Sequence, residues 1–441
     1  MLESFSFIFV LLPLSLAVYY LAPGRYRPGI IAIGSLLLYA QQNLGYLWLL
    51  PASVLLDYFA ARIMAREGTS ENMRRACMWF AVVKNLALII AVFGMVQLRM
   101  AEGVLGVPVY ALSGIDYVLA VYKRETPAEK NMANLFCYCC FFPRLFAGPL
   151  VPWADFRAQL EKTELRPRVL AQGAGRFVQG VFKYAVLGGY VTRVYETLRH
   201  FSGQEVTVLS TWCMVFALAL SLYYRLCGLC DIAQGLGLAF GIEMPNNFYY
   251  PYQALCVADF FERFNITVHH FIRRTVYAGL REDRAGPVSD CLNLLMVGML
   301  MGFWFGLHPN LMAWGCYLAL FIILERYLYP RVLANTPTLF ARAYALCIIL
   351  SSFTLFAGES FKQSAGYLRA LFGGGGISLF NAQVLYVLSS NWLVLALSVV
   401  FAFSFTSKLF QLLYKTYPRF AWVLQGILDL ALLVLLATLS L

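Results

Sequence analysis

The strongest constraint on this chain is the recurrence of apolar stretches long enough to cross a lipid bilayer. A transmembrane helix needs roughly 20 predominantly apolar residues, and the sequence offers about a dozen such stretches, beginning with SFSFIFVLLPLSLAVYYLA (4–22). The fold class expected is all-α and integral to the membrane, with about 11–12 membrane helices. Hydrophobic residues make up 61% of the 441 and charged residues only 13%, far from the balance of a soluble domain. No long polar linker, low-complexity tract or clear internal repeat divides the chain, so residues 1–441 are read as one polytopic domain. The first stretch has neither a basic leader nor a small-x-small cleavage site and is expected to be a retained anchor.

The formal net charge of +11 raises the question of a nucleic-acid partner, but the basic residues sit in short loops between apolar segments. The tendency of cytoplasmic loops to carry Lys and Arg accounts for them, and no nucleic acid is expected. Arg25 and Arg27 follow the first span; Arg62, Arg66, Arg74 and Arg75 surround the loop after the third. Lys123, Arg124 and Lys130 follow the fifth, Arg273, Arg274, Arg281 and Arg284 precede a later span, and Lys408, Lys415 and Arg419 separate the last two. Alternation then places these loops in the cytoplasm and the N-terminus outside, with Arg193 and Arg199 as exceptions on the outer side. The eleven cysteines lie almost wholly in apolar segments. Cys227-Gly-Leu-Cys230 has metal or redox spacing, yet no second pair or neighbouring His completes it, and buried free thiols are expected.

Two regions depart from plain spans. NLFCYCCFFPRLFAGPLVPW (134–153) carries Pro143, Arg144, Gly148, Pro149 and Pro152; CGLCDIAQGLGLAFGIEMPNNFYYPY (227–252) carries Asp231, four glycines and two prolines. Broken helices persist at membrane depth only where protein or a water-filled cavity satisfies the freed backbone. Both regions are therefore read as broken or re-entrant segments lining a cavity, with an interfacial cytoplasmic connection as the alternative. Lys84, Asp231, Asp259, Glu262 and Arg263 are candidate charges facing the bundle interior, Arg263 with a route to the cytoplasmic interface by snorkelling.

No phosphate-binding loop, dinucleotide fingerprint, zinc spacing or serine-nucleophile elbow occurs, and GGGG (373–376) reads as an outer loop. Four blocks, in order, carry a resemblance instead. They are FVLLPLSLAVYYLAP (9–23), FFPRLFAGPLVPWADFRAQL (141–160), the stretch from Gly228 to Tyr277, and GFWFGLHPNLMAWGCYLALFIILER (302–326). The third contains Gly-x-x-Asp, Gly-Leu-Gly, Asn-Phe and Pro-Tyr ahead of DFFERFNITVHHFIRR, and the fourth a Trp-x-Gly and a Trp-Gly frame followed by Glu. Together they resemble the membrane-bound O-acyltransferase family, most closely its bacterial branch of alginate O-acetyltransferases and D-alanyl lipoteichoic acid transfer proteins.

That resemblance implies a ring of helices around a thin centre, with a cytoplasmic funnel for an acyl donor and an outer funnel for the acceptor. Transfer is credited in the family to a His in a Trp-His-Gly block, with a second His upstream. An imidazole suits the task because its pKa lies near neutrality and it takes a proton from the attacking hydroxyl. The resemblance also implies membrane lipid around the chain and no tightly bound cofactor. The donor would be an acyl thioester (acyl-CoA or an acyl carrier protein) on the cytoplasmic side, and the partner an extracytoplasmic esterase-like acyltransferase. The setting would be a bacterial cytoplasmic membrane. Asp231, Asn247, Trp304, Phe305, Arg263 and Pro149 fall at positions expected to line the funnel.

Here the Trp-His-Gly position reads Trp304-Phe305-Gly306, and the upstream histidine position reads Asn265. His308 lies three residues after Phe305 and His269 four after Asn265, intervals that on a helix return to one face a turn later. A relocated pair, His308 and His269 with Asn265 beside them, is one expectation; against it, Pro309 suggests a helix end at His308. The competing expectation is a degenerate family member serving as an acyl conduit or scaffold for a partner transferase. A transporter is a third reading, weakened by the lack of two halves with matching interrupted spans.

Overall fold

Long uncharged runs leave the backbone little but its own helix hydrogen bonds, and the computed structural model of the chain is helical accordingly. It describes residues 10–42, 44–98, 106–145, 147–160, 167–277, 286–330 and 335–439. The first helices are α1 (Leu12–Leu21), α2 (Arg27–Gln42), α3 (Leu49–Met64), α4 (Glu71–Gln97), α5 (Val107–Tyr122) and α6 (Met132–Cys140). Then come α7 (Phe142–Leu145), α8 (Trp153–Leu160), α9 (Pro167–Val181), α10 (Gly189–Arg199), α11 (Val208–Ala239), α12 (Val257–Phe261) and α13 (Ile266–Ile272). The remainder are α14 (Pro287–Phe303), α15 (Pro309–Tyr327), α16 (Thr338–Ala357), α17 (Phe361–Leu371), α18 (Ala382–Ala402), α19 (Phe405–Thr416) and α20 (Pro418–Leu439). Local polar residues fix several starts: Ser70, Asn131, Ser360 and Asn381 each accept a backbone amide of the first turn that follows.

Six helical stretches among the described residues are long and apolar enough to cross a membrane: Leu44–Met64, α4, α11, α16, α18 and Pro418–Leu436. Shorter apolar helices occur at α1, α5 and α14. Two-thirds of the most apolar window of α11 is buried, against 6% for the last span, which offers its surface to lipid.

The chain forms two compact units: one of residues up to Val181, Leu229–Pro245 and the stretch from Asp429, the other of Phe182–Gly228 and Asn246–Leu428. In the first unit the buried charges of Lys84 and Asp57 are paired. Lys84 on α4 donates to Asp57 on α3 at 2.9 Å and to the Ser53 hydroxyl at 2.7 Å, and Asn85 donates to both Asp57 oxygens at 3.1 Å. A lone ammonium at this depth would be costly, and these partners make it tenable. In the broken segment 134–153 protein groups take up part of the hydrogen bonding that the helix break leaves open. Asp116 accepts from the Tyr138 hydroxyl at 3.0 Å and the Trp153 amide at 2.7 Å, while fully buried Arg144 lies 4.4 Å from the Tyr138 ring centre and donates to the Tyr138 carbonyl.

The second broken segment begins later than its glycines suggest. α11 runs without interruption through Cys227, Asp231, Gly235 and Gly237 to Ala239, and the chain leaves the helix only at Phe240. Glycines cost less in a helix that is packed on most sides, so they do not end this one. Cys227 and Cys230 are buried thiols along it and form no disulfide.

In the second unit, α14 and α15 form a close hairpin. A Cβ at Gly315 would stand 1.8 Å from the Gly298 carbonyl oxygen, and one at Gly298 would stand 2.4 Å from that of Gly315. The helices reach this separation only with glycine at both positions. Gly315→Ala is expected to lower stability by about 1–3 kcal/mol or more, read as a drop in the detergent melting temperature. An unchanged melting temperature would show that the two backbones are not in contact.

Candidate functional site

α12 and α13 carry the segment DFFERFNITVHHFI, and its geometry starts from one side chain. Asn247, buried in the strand-like stretch after α11, donates to Asn265 Oδ1 at 3.0 Å. Its own oxygen accepts from the Thr267 amide at 2.9 Å and the Thr267 hydroxyl at 2.8 Å. Backbone bonds from Tyr249 to Arg263 and from Ile266 to Asn247, both 2.9 Å, align the two stretches around the Phe248–Phe264 bridge. Asn265 has φ 53°, a left-handed conformation that asparagine tolerates better than most residues, and it starts α13. Its amide is thus committed to a structural clasp.

α12 is held from the other side by Glu325, a buried carboxylate on the last turn of α15. Glu325 accepts from the Val257 amide at 2.8 Å and the Ala258 amide at 3.2 Å, satisfying donors that a helix start leaves open. Sequence reasoning noticed this Glu within a motif but assigned it no role. The available signal was a lone carboxylate closing an apolar run, FIILE.

His269 stands one turn into α13, its amide bonded to the Asn265 carbonyl at 3.0 Å. The ring is 7% exposed and stacks on Phe261, with centres 5.8 Å apart and planes at 27°. Its Nδ1 is buried without a hydrogen-bond partner. It lines a cavity of about 750 Å³ whose walls include Phe261, Val297, Ile322 and Glu325, with Arg273 and Arg326 among its charged residues. Burial pushes the His269 pKa down to about 4; Arg273 and His270 push the same way, and Glu262 opposes them. The imidazole is therefore neutral at neutral pH.

GFWFGLHPN is a turn between helices rather than a continuing helix. α14 ends at Phe303, Gly306 has φ +143°, and His308 has extended backbone and caps α15, accepting the Asn310 amide on Nδ1 at 3.4 Å. This corrects the expected one-turn relation between Phe305 and His308, because a 3.6-residue period holds only within a helix. Pro309 begins α15 instead of ending a helix, its missing amide being no loss at the first position.

Phe305 packs into an aromatic cluster. Its ring centre lies 5.4 Å from that of Phe356, 5.7 Å from Trp314 and 6.3 Å from Phe264. Trp314 in turn lies 6.1 Å from Phe261, the ring on which His269 stacks. Trp314 is fully buried and its Nε1 has no hydrogen-bond partner. Trp304, half-buried, caps the C-terminus of α14. Arg263 turns away from this wall, bonding Asp259 at 2.6 Å with its guanidinium over the Tyr249 ring.

Asn247, Arg263, Asn265, His269, Trp304, Phe305 and His308 all belong to the second unit. Asp231 and Pro149 belong to the first, where Asp231 pairs with Arg176 at 3.1 Å and Pro149 is buried in the broken segment.

The chain belongs to the membrane-bound O-acyltransferase family, which it matches over residues 118–362. It is 25% identical over 414 residues to a protein named Probable alginate O-acetylase AlgI in Azotobacter vinelandii, covering 89% of this chain and 83% of that one. It is 24% identical over 422 residues to the peptidoglycan O-acetyltransferase of Helicobacter pylori, covering 85% and 80%. It is 20% identical over 276 residues to the teichoic acid D-alanyltransferase of Bacillus subtilis, covering 59% and 70%. The family and the long apolar helices make it a multi-pass membrane protein.

Two outcomes follow from this geometry. Asn247→Ala removes the donor to the buried oxygen of Asn265 and one acceptor of the Thr267 amide and hydroxyl, and is expected to cost about 1–3 kcal/mol. Thermal unfolding in detergent measures the loss. For His269 the folded pKa lies below the unfolded value of 6.5, so the unfolded chain takes the proton first as pH falls. The stability attached to the neutral ring is present above about 6.5 and is lost as pH falls toward 4, on the order of 3 kcal/mol in all. His269→Gln should flatten that acid limb, whereas an identical profile in the variant would place the titration elsewhere.

Proposed function

We propose that this chain is an acyltransferase of the bacterial cytoplasmic membrane, acting on a polymer of the cell envelope. Its donor is an acyl thioester reaching the cavity from the cytoplasm, and the group moved is acetyl or similarly small. The names of the relatives support this class of acceptor: alginate, peptidoglycan and teichoic acid. The basic loops support an N-terminus outside, which puts the Arg273 and Arg326 end of the cavity on the cytoplasmic side.

The observation that carries the reading is His269, a neutral, unpartnered imidazole buried at the wall of a cavity large enough for a small ligand. As an acceptor hydroxyl attacks the thioester carbonyl, the imidazole takes its proton; the C–S bond breaks and the proton passes to the departing thiolate. Glu262 favours the imidazolium formed on the way. Arg273 and Arg326 suit the anionic part of a thioester carrier, and the apolar walls its acyl end. In this scheme His308 serves as the cap of α15, and Asn265 with Asn247 positions α13.

The test is cell-surface acylation in a strain carrying single variants at matched membrane levels. His269→Ala is expected to lower the rate about 10²–10⁴-fold, the usual worth of a general base, with His308→Ala nearly unchanged. Full acylation with His269→Ala sinks the assignment.

One observation favours a second reading. Phe305, the residue expected at the family's central histidine position, packs against Phe264, Trp314 and Phe356, none of which handles a proton during acyl transfer. Under that reading the chain is an acyl conduit or scaffold, and an extracytoplasmic esterase-like partner performs the transfer. Phe305→His separates the two. Transfer that appears only in this variant supports the conduit, and a rate equal to or below that of the native chain supports His269.

A further inference from the structure

We propose that Glu262, His269 and His270 form a binding site for a divalent transition-metal ion of the zinc type, at the edge of the cavity in the second unit. One ligand atom from each residue lies within 4.8 Å of the other two. The trio comes from two elements. Glu262 follows the last turn of α12, the histidines are consecutive on α13, and the Asn247–Asn265 clasp fixes the turn between them.

The carboxylate is already oriented. Glu262 Oε1 accepts from Arg273 at 2.7 Å, which leaves Oε2 standing 3.6 Å from His270 Nε2. That separation is long for a hydrogen bond. It is close to the roughly 3.4 Å between two ligands on a tetrahedral zinc with bonds of about 2.0–2.2 Å. Arg273 therefore stands where an outer partner of a ligating carboxylate stands in metal sites.

His269 supplies the independent observation. It is 7% exposed, lines the cavity and has a ring nitrogen with no partner, while buried polar groups in proteins are otherwise almost always paired. An ion bound through this ring supplies the missing partner. Two imidazoles and a carboxylate make a donor set suited to zinc, copper or nickel over magnesium or calcium, and they leave a coordination position for water or a ligand from the cavity. A seated ion takes the His269 lone pair, so occupancy and proton acceptance by that ring exclude one another. The site itself stands on the geometry of the three side chains and does not depend on the acyl-transfer reading.

The full-length protein in detergent would be titrated with Co²⁺, followed by visible absorption, and with Zn²⁺ by calorimetry. The expected result is one ion per chain, with the intense bands of four-coordinate cobalt, displaced by Zn²⁺. His270 is 60% exposed, so His270→Ala removes a ligand without touching the packing. It and Glu262→Gln are each expected to weaken binding by about tenfold or more, and Arg273→Gln, which keeps all three ligands, by about tenfold. Equal affinity in His270→Ala and Glu262→Gln overturns the proposal, as does cobalt that keeps the pale six-coordinate spectrum of the free ion. No acylation is measured, so loss of the acyl-transfer reading leaves this test intact.

Discussion

The arrangement around the cavity depends on Asn247. Between α11 and α12 the chain is largely non-helical within a membrane protein, where unpaired amides and carbonyls are costly. Asn247 uses its backbone and both ends of its side chain to join this stretch to the start of α13, and Asn265 can enter the left-handed conformation because its own amide is held there. From the opposite side Glu325 takes the first amides of α12. Together they fix the two short helices that carry Phe261, Glu262 and His269. Helices of five and seven residues do not hold themselves in place by propensity.

An aromatic wall then determines the chemistry available. His269 stacks on Phe261, Phe261 meets Trp314, and Trp314 meets Phe305. Along this series the one ionisable ring stands at the cavity end. Burial among aromatic rings keeps that imidazole neutral, which suits both taking a proton and offering a lone pair to a metal. The same wall leaves Trp314 Nε1 without a partner beside Phe305, the position at which the family resemblance led us to expect an imidazole.

Charge elsewhere is used to hold helices together. Asp57 and Lys84 join α3 to α4, and Asp231 joins α11 to α9 through Arg176. Lys84 and Asp231 had looked like cavity groups because a charge within an apolar run is a functional candidate by default. Their partners, 27 and 55 residues away, give them a packing role that local sequence does not reveal.

The sequence by itself determined what depends on local composition. Apolar run length gives a membrane-embedded helical chain, the Lys and Arg loops suggest its orientation, and the ordered blocks resemble the family to which the chain belongs. Pro143, Pro149 and Pro152 remove backbone donors from residues 134–153, where α6 ends at Cys140 and α7 spans only Phe142–Leu145. Tertiary structure decided everything that rests on helix continuity or on distant neighbours. α11 continues through its glycines because packing supports it, and His308 is a cap because α14 ends before Trp304. His269 and His270 are adjacent in sequence, yet one is buried against Phe261 and the other is exposed, since successive helical residues point about 100° apart and only one faces the cavity wall.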